Sequence, residues 1–188
     1  MSTPDTGGFT VESEESLHSW AIFRLLRRTV VSPSGESFDR TFVDTPGAVA
    51  TVAVTPVGSI VLVSQYRAAI GAYVLEIPAG MRDVEGEDSL VTAVRELREE
   101  AGYEAGSLVH LGDFLSTPGV TNSFLHVYLA TELVPCATEP HGPEEDSMRI
   151  VKVPAAEALA MVRDGRIIDG KSCYAILMAH LTRPDLFG

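Results

Sequence analysis

Positive charge is scarce in this chain. Its 14 Lys and Arg face 26 Asp and Glu over 188 residues, for a formal net charge of −12. Non-specific nucleic-acid binding rests on clustered Lys and Arg against phosphates, so this balance argues against nucleic acid as a partner. An anionic small-molecule substrate would need metal ions and local arginines to screen the acids. Cysteine is nearly missing. Cys136 and Cys173 stand far apart, without metal-ligand spacing, and read as reduced thiols packed as small hydrophobes, which points to the cytoplasm. Long hydrophobic runs are missing too. No stretch approaches a transmembrane helix, so no membrane role is expected. The opening MSTPDTGGFTVESEESLHSW is polar and acidic, unlike a signal peptide. Apolar residues are plentiful, at 45%, which is too many for wholesale disorder. The length suits one domain with a modest extension.

Residues 1–16 are expected to be flexible. Residues 20–31 and 37–44 read as strands around Ser32-Pro33-Ser34-Gly35, with Phe38 and Phe42 on one face. Residues 48–54 and 60–65 are apolar and β-branched, and the turn-like stretch 55–59 makes them a hairpin. Residues 73–77 form a further strand that enters a loop. Strands are also expected over 108–115 and 124–130, and late over 148–153, beyond a polar, acidic loop at 135–146. Helical periodicity marks 155–163 and 171–183, with Gly165 suited to end the first. Strands with helices scattered among them, rather than in strict alternation, indicate an α+β fold with a mixed sheet.

The most informative stretch is GMRDVEGEDSLVTAVRELREEAGY, residues 80–103. With Glu96 at zero on a helical wheel, Glu100 falls at about 40° and Glu99 at about −60°, so three carboxylates share a face. Leu90, Val91, Val94, Leu97 and Ala101 fall between roughly 100° and 220°, and are expected to bury. Asp88 or Ser89 suits the N-cap and Gly102 the C-terminal glycine. Like charges at this spacing cost a helix roughly 0.2–0.5 kcal/mol per pair. One reading is a solvated face on which Arg95 and Arg98 offset the glutamates. The other is a cluster holding Mg²⁺ or Mn²⁺, hard cations that take carboxylate oxygens. The strand end Glu76-Ile77-Pro78-Ala79-Gly80 just upstream favours the second, because glycine lets backbone approach a ligand closely.

These residues resemble the signature of the Nudix hydrolases. That signature is Gly, five residues, Glu, seven residues, then Arg-Glu-apolar-x-Glu-Glu-x-Gly-apolar. The match runs over Gly80, Glu87, Arg95, Glu96, Leu97, Glu99, Glu100 and Gly102. It departs twice: six residues separate Gly80 from Glu87, and Tyr103 replaces the usual aliphatic residue. Gln65-Tyr66-Arg67, the segment before Gly80, Pro118-Gly119, and the stretches 15–18 and 21–23 are similar to bacterial ADP-ribose pyrophosphatases, actinobacterial ones above all. The resemblance spans roughly residues 15 to 183.

The resemblance implies an α/β/α sandwich over residues 47–185, preceded by a small β region, 17–46, that serves dimerisation or covers substrate. It implies metal-dependent hydrolysis of ADP-ribose to AMP and ribose 5-phosphate. Glu96, Glu99, Glu100 and the Ala79 carbonyl would hold two or three Mg²⁺, or Mn²⁺. Glu144 or Glu145 would act as catalytic base, although an acidic run is ordinarily solvated. Arg95 would orient the glutamates, and Gly80 and Glu87 would anchor the loop. Arg67 is expected either to end an edge strand or to grip phosphate or ribose. Pro118-Gly119 reads as a turn or as a wall of the substrate pocket. Trp20 reads as core or dimer packing, or as an adenine stack. GDP-mannose, UDP-sugars, NADH and diadenosine polyphosphates are alternative substrates, and a non-catalytic ADP-ribose sensor is an alternative function. A homodimer is expected, because the family often pairs through the N-terminal β segment.

Overall fold

The computed structural model describes residues 5–138 and 147–188. They form two compact units. One is the chain up to Pro46 with Thr117–Ser123, and the other is Gly47–Ser116 with Phe124–Gly188.

The smaller unit is an antiparallel meander of β1 (Thr10–Trp20), β2 (Phe23–Val31) and β3 (Ser37–Asp44). It corrects two expectations. Residues 10–16, read as flexible, pair with β2. Glu14 Oε2 accepts from Arg28 Nε and Nη2 at 2.9 and 2.6 Å, and Glu15 lies 3.5 Å from Arg27. The acidity that suggested a solvated tail is instead matched to a basic strand, and cross-strand pairs of this kind contribute roughly 0.2–1 kcal/mol each. The expected strand 20–31 also breaks. Trp20 pairs with Phe23 across a two-residue turn in which Ala21 takes a φ of 45°.

The larger unit carries β4 (Ala48–Val54), β5 (Ser59–Arg67), β6 (Ala72–Glu76), β7 (Ala79–Met81), β8 (Tyr103–Leu115), β9 (Phe124–Pro135) and β10 (Arg149–Pro154). The sheet order is β10-β5-β4-β9-β8, with β6 on β5 and β7 on β4. Strands β4 and β9 run parallel while β8 and β9 run antiparallel, so the sheet is mixed. Among the described residues the unit carries three α-helices: α1 (Ser89–Ala101) between β7 and β8, then α2 (Ala155–Asp164) and α3 (Gly170–Thr182) after β10. Side chains alternate across a strand, and β4 feeds both layers. Ala50, Val52 and Val54 pack with Ala158, Ile176 and Ala179 of α2 and α3. Val49 clusters with Ala93, and Ala53 with Leu97 and Ala101, all from α1. The result is an α/β/α sandwich of the α+β class. Strands β8 and β9 are longer than expected, with the ladder running from Tyr103 opposite Pro135. Glu104, Ala105 and Gly106 carry little strand propensity, and pairing overrides it.

The hairpin of β4 and β5 forks. The two strands pair at Ala53–Val61 and Val54–Ile60. Further on, β5 pairs with β6 and β4 with β7, and Ile77 and Pro78 carry the chain between them. Thr51 N donates to Pro78 O at 2.9 Å across the gap. This fork seats the glycine loop above α1.

Helix α1 corrects the wheel. Its buried residues are Thr92, Ala93, Leu97, Glu99, Glu100 and Ala101, while Leu90, Val91 and Val94 are between 42% and 54% exposed. The buried arc is therefore centred near Glu100, not on the apolar stripe. Glu100 turns inward because it has a backbone donor to meet there.

Candidate active site

That donor is Ala79 N, which reaches Glu100 Oε2 at 2.8 Å. The helix is started by Asp88, whose Oδ1 accepts from Leu90 N at 2.8 Å, and ended by Gly102 at φ 68°. Gly80 lies directly against Glu96: a Cβ at Gly80 would come within 2.0 Å of Glu96 Cδ. Only glycine admits that approach. The loop between β7 and α1, one residue longer than the signature, contains a turn in which Glu87 N donates to Val84 O at 3.2 Å and Gly86 takes φ 77°. Glu87 stays at the helix, its Oε2 accepting from Thr92 Oγ1 at 2.8 Å.

Arg95 is the hub of the acids. Its Nη1 donates to Glu96 at 2.8 Å and to Glu99 at 3.2 Å, and its Nη2 to Glu87 and Asp83, each at 3.3 Å. Burial works against the Arg95 charge, but Glu96, Glu87 and Glu99 outweigh it and hold the guanidinium above its ordinary pKa. The Thr92 hydroxyl and Arg95 keep the Glu87 carboxyl below its usual range. Glu96 behaves oppositely. Burial, reinforced by Glu99 and Asp83, outweighs Arg95 and pushes its pKa up to about 7. Four carboxylates meet the one Arg95 guanidinium, and Glu100 lies beside them on Ala79 N, so the cradle is short of positive charge. Carboxylate oxygens with a nearby backbone carbonyl are the donors that a hard divalent cation takes, so the residues present fit such an ion.

The Glu96 shift has a sign that can be measured. A carboxyl with a raised folded-state pKa contributes stability that is complete below its ordinary value of 4.5 and is lost as pH rises through about 7. A cation must displace that proton. Metal affinity in the absence of substrate should therefore climb as pH rises toward about 7 and level off above it. A Mn²⁺ titration at several pH values checks this, and a flat profile contradicts it.

The other residues singled out above lie elsewhere. Arg67 grips both oxygens of Glu76, Nε at 2.7 Å and Nη2 at 2.6 Å. The fork expected for phosphate or ribose is thus committed to a buried carboxylate. Trp20 stacks between His18 and Phe23, at 5.6 and 5.8 Å between ring centroids. Trp20, Pro118 and Gly119 belong to the smaller unit and Arg67 to the larger. Glu144 and Glu145 lie outside the described residues. His110 and His126 gain a connection that the sequence did not suggest. Asp113 Oδ1 bonds His110 Nε2 at 2.6 Å and His126 Nδ1 at 2.8 Å. Sequence reading also missed Lys171 and Ser172, which reach Glu76 and Ile77 from 95 residues away, and Asp169, which bonds both of them; no local pattern signals such a contact.

A fork-seated glycine loop, an acid-lined helix and a three-layer sandwich define a known class. The NUDIX domain model matches residues 44–169, and the chain belongs to the Nudix family. Within it, the chain is similar to the ADP-ribose pyrophosphatase of Mycobacterium tuberculosis, 40% identical over 172 residues that cover 92% of this chain and 83% of that one. The ADP-ribose pyrophosphatase of Bacillus subtilis is 35% identical over 164 residues, covering 87% and 88%. A solved ADP compounds hydrolase superposes with a TM-score of 0.83 at 21% identity, covering 97% of this chain and 98% of that one. That likeness speaks for the fold.

Proposed function

We propose that the protein is a pyrophosphohydrolase that cleaves the diphosphate of ADP-ribose, giving AMP and ribose 5-phosphate. The observation that carries the reading is the cradle in which Glu96 meets Gly80, Glu100 meets Ala79 N, and Glu99 joins Glu96 through Arg95. The two ADP-ribose pyrophosphatases above support the substrate.

Glu96, Glu99, Glu100 and the Ala79 carbonyl would hold two or three Mg²⁺, or Mn²⁺. Such ions screen the diphosphate and lower the pKa of a bound water, an effect of several kcal/mol. The chain's own groups do the rest. Arg95 orients the glutamates by hydrogen bonds. Glu87 ties the loop to the helix. Glu144 or Glu145 takes the proton from the attacking water. Arg67 holds Glu76 through Nε and Nη2 and would meet phosphate or ribose with its remaining N–H groups. A cytoplasmic setting accords with Cys136 and Cys173, which form no disulfide. The β1–β3 unit pairs two copies into a homodimer, and a monomer mass in solution would refute that.

The test is a panel of ADP-ribose, GDP-mannose, a UDP-sugar and NADH at fixed Mg²⁺, with products read by phosphorus NMR in heavy-oxygen water. ADP-ribose is expected to give the highest kcat/KM. Preference for another substrate, or binding without turnover, overturns the reading. Glu144→Gln and Glu145→Gln are run beside it. Full activity in both would place the base elsewhere.

A further inference from the structure

A second charged cluster, contributed by β5, β6 and the start of α3, adjoins the acid cradle. Glu76 ends β6 and is 2% exposed. Arg67 holds both of its oxygens, and Lys171 Nζ bonds Oε2 as well. The same Nζ donates to Asp169 Oδ2 at 3.0 Å. That oxygen also accepts from Ser172 N at 3.0 Å and Ser172 Oγ at 2.5 Å. Ser172 Oγ in turn accepts from Ile77 N at 2.9 Å.

Hydrogen bonds therefore run unbroken from α3 into residues 76–79. Ile77 N goes to Ser172, Pro78 has no N–H, Pro78 O takes Thr51 N, and Ala79 N goes to Glu100. Arg67 comes from β5, with which β6 already pairs, so it adds little restraint between elements. Lys171 comes from a different element and ties β6 to it. Stability alone does not call for this arrangement. Burying ions costs several kcal/mol each, and apolar side chains of similar volume are often as stabilising. What a charged latch supplies is geometry. The segment it fixes runs from Glu76, which Arg67 holds, to Ala79, whose N–H Glu100 accepts.

We propose that Lys171 is a positioning residue for the cation site. By bridging Glu76 and Asp169 it locks residues 76–79 and so sets the Ala79 carbonyl and the Glu100 carboxylate for metal. The inference rests on the reading of Ala79, Glu96, Glu99 and Glu100 as the metal-binding group.

The experiment titrates Mn²⁺ alone, without nucleotide, into wild type, Lys171→Met, Lys171→Arg and Glu100→Gln, reading free Mn²⁺ by electron paramagnetic resonance. Near-UV circular dichroism confirms the native fold of each. Lys171→Met is expected to bind Mn²⁺ roughly tenfold or more weakly, the usual effect of losing a group that orients a ligand. Lys171→Arg should restore most of the loss. A merely structural role would lower the melting temperature and leave the affinity of the folded protein unchanged. Wild-type affinity in folded Lys171→Met, with Glu100→Gln impaired, overturns the positioning role and leaves the site intact. Wild-type affinity in Glu100→Gln overturns the site and this inference with it. Should Lys171→Met not fold, Ser172→Ala, which removes the acceptor of Ile77 N, takes its place, and unchanged Mn²⁺ affinity there is equally fatal.

Discussion

Glu100→Gln should lower kcat by about 10²–10³-fold at saturating metal while leaving the fold in place. The number follows from the chemistry. A ligand carboxylate supports several kcal/mol of charge stabilisation, and each 1.36 kcal/mol is about a factor of ten in rate. The substitution is informative because of what it keeps. Glu100 is 5% exposed and accepts from Ala79 N at 2.8 Å. Glutamine has a carbonyl oxygen for the same bond and nearly the same volume. Charge is lost and the loop keeps its anchor. Thermal melting near that of wild type, together with collapsed turnover and weakened Mn²⁺ binding, is the expected pattern. Turnover within tenfold of wild type would remove Glu100 from the ligands.

The second large effect is expected from a single methyl group. A Cβ at Gly80 would lie 2.0 Å from Glu96 Cδ and 2.2 and 2.4 Å from its two oxygens. Atoms at that separation cannot coexist. The obstacle is the end of a flexible side chain, so Glu96 swings away while the backbone stays. Gly80→Ala should therefore fold and melt much as wild type does, yet lose about 10²-fold in kcat/KM, as displacements near 1 Å do at reacting centres. Glu96→Ala in the same background tests the cause. With the clash relieved by truncation, the double mutant should be no worse than Glu96→Ala alone. Additive losses would mean that Gly80 acts by another route.

Much of the site is local in sequence, which is why it was legible. Gly80, Glu87, Arg95, Glu96, Glu99 and Glu100 lie within one loop and one helix, and helical periodicity puts the acids together without help from the rest of the chain. The caps Asp88 and Gly102 were legible for the same reason. Errors arose where a local rule met a distant partner. The wheel assigned the buried face by hydrophobicity. In the folded chain Val91 and Val94 remain exposed, because the fork of β4 and β5 presents Ala79 N and Gly80 to the acid side. The acidic N-terminal segment looked solvated until Arg27 and Arg28 of β2 supplied its partners. Arg67 looked available to an anion until Glu76, nine residues on, took its fork.

The sequence by itself determined the chemistry: an acid cluster at helical spacing, a glycine beside it, and too few positive charges to neutralise it without a cation. Those properties depend on residue identity and a 3.6-residue period, which any helix expresses. Only the tertiary structure decided which face of α1 is buried, that Gly80 touches Glu96, and that Lys171 reaches Glu76 across 95 residues. Contacts of that kind depend on how the sheet forks and where α3 lands. Strand order and register set both, and no short window of residues encodes them.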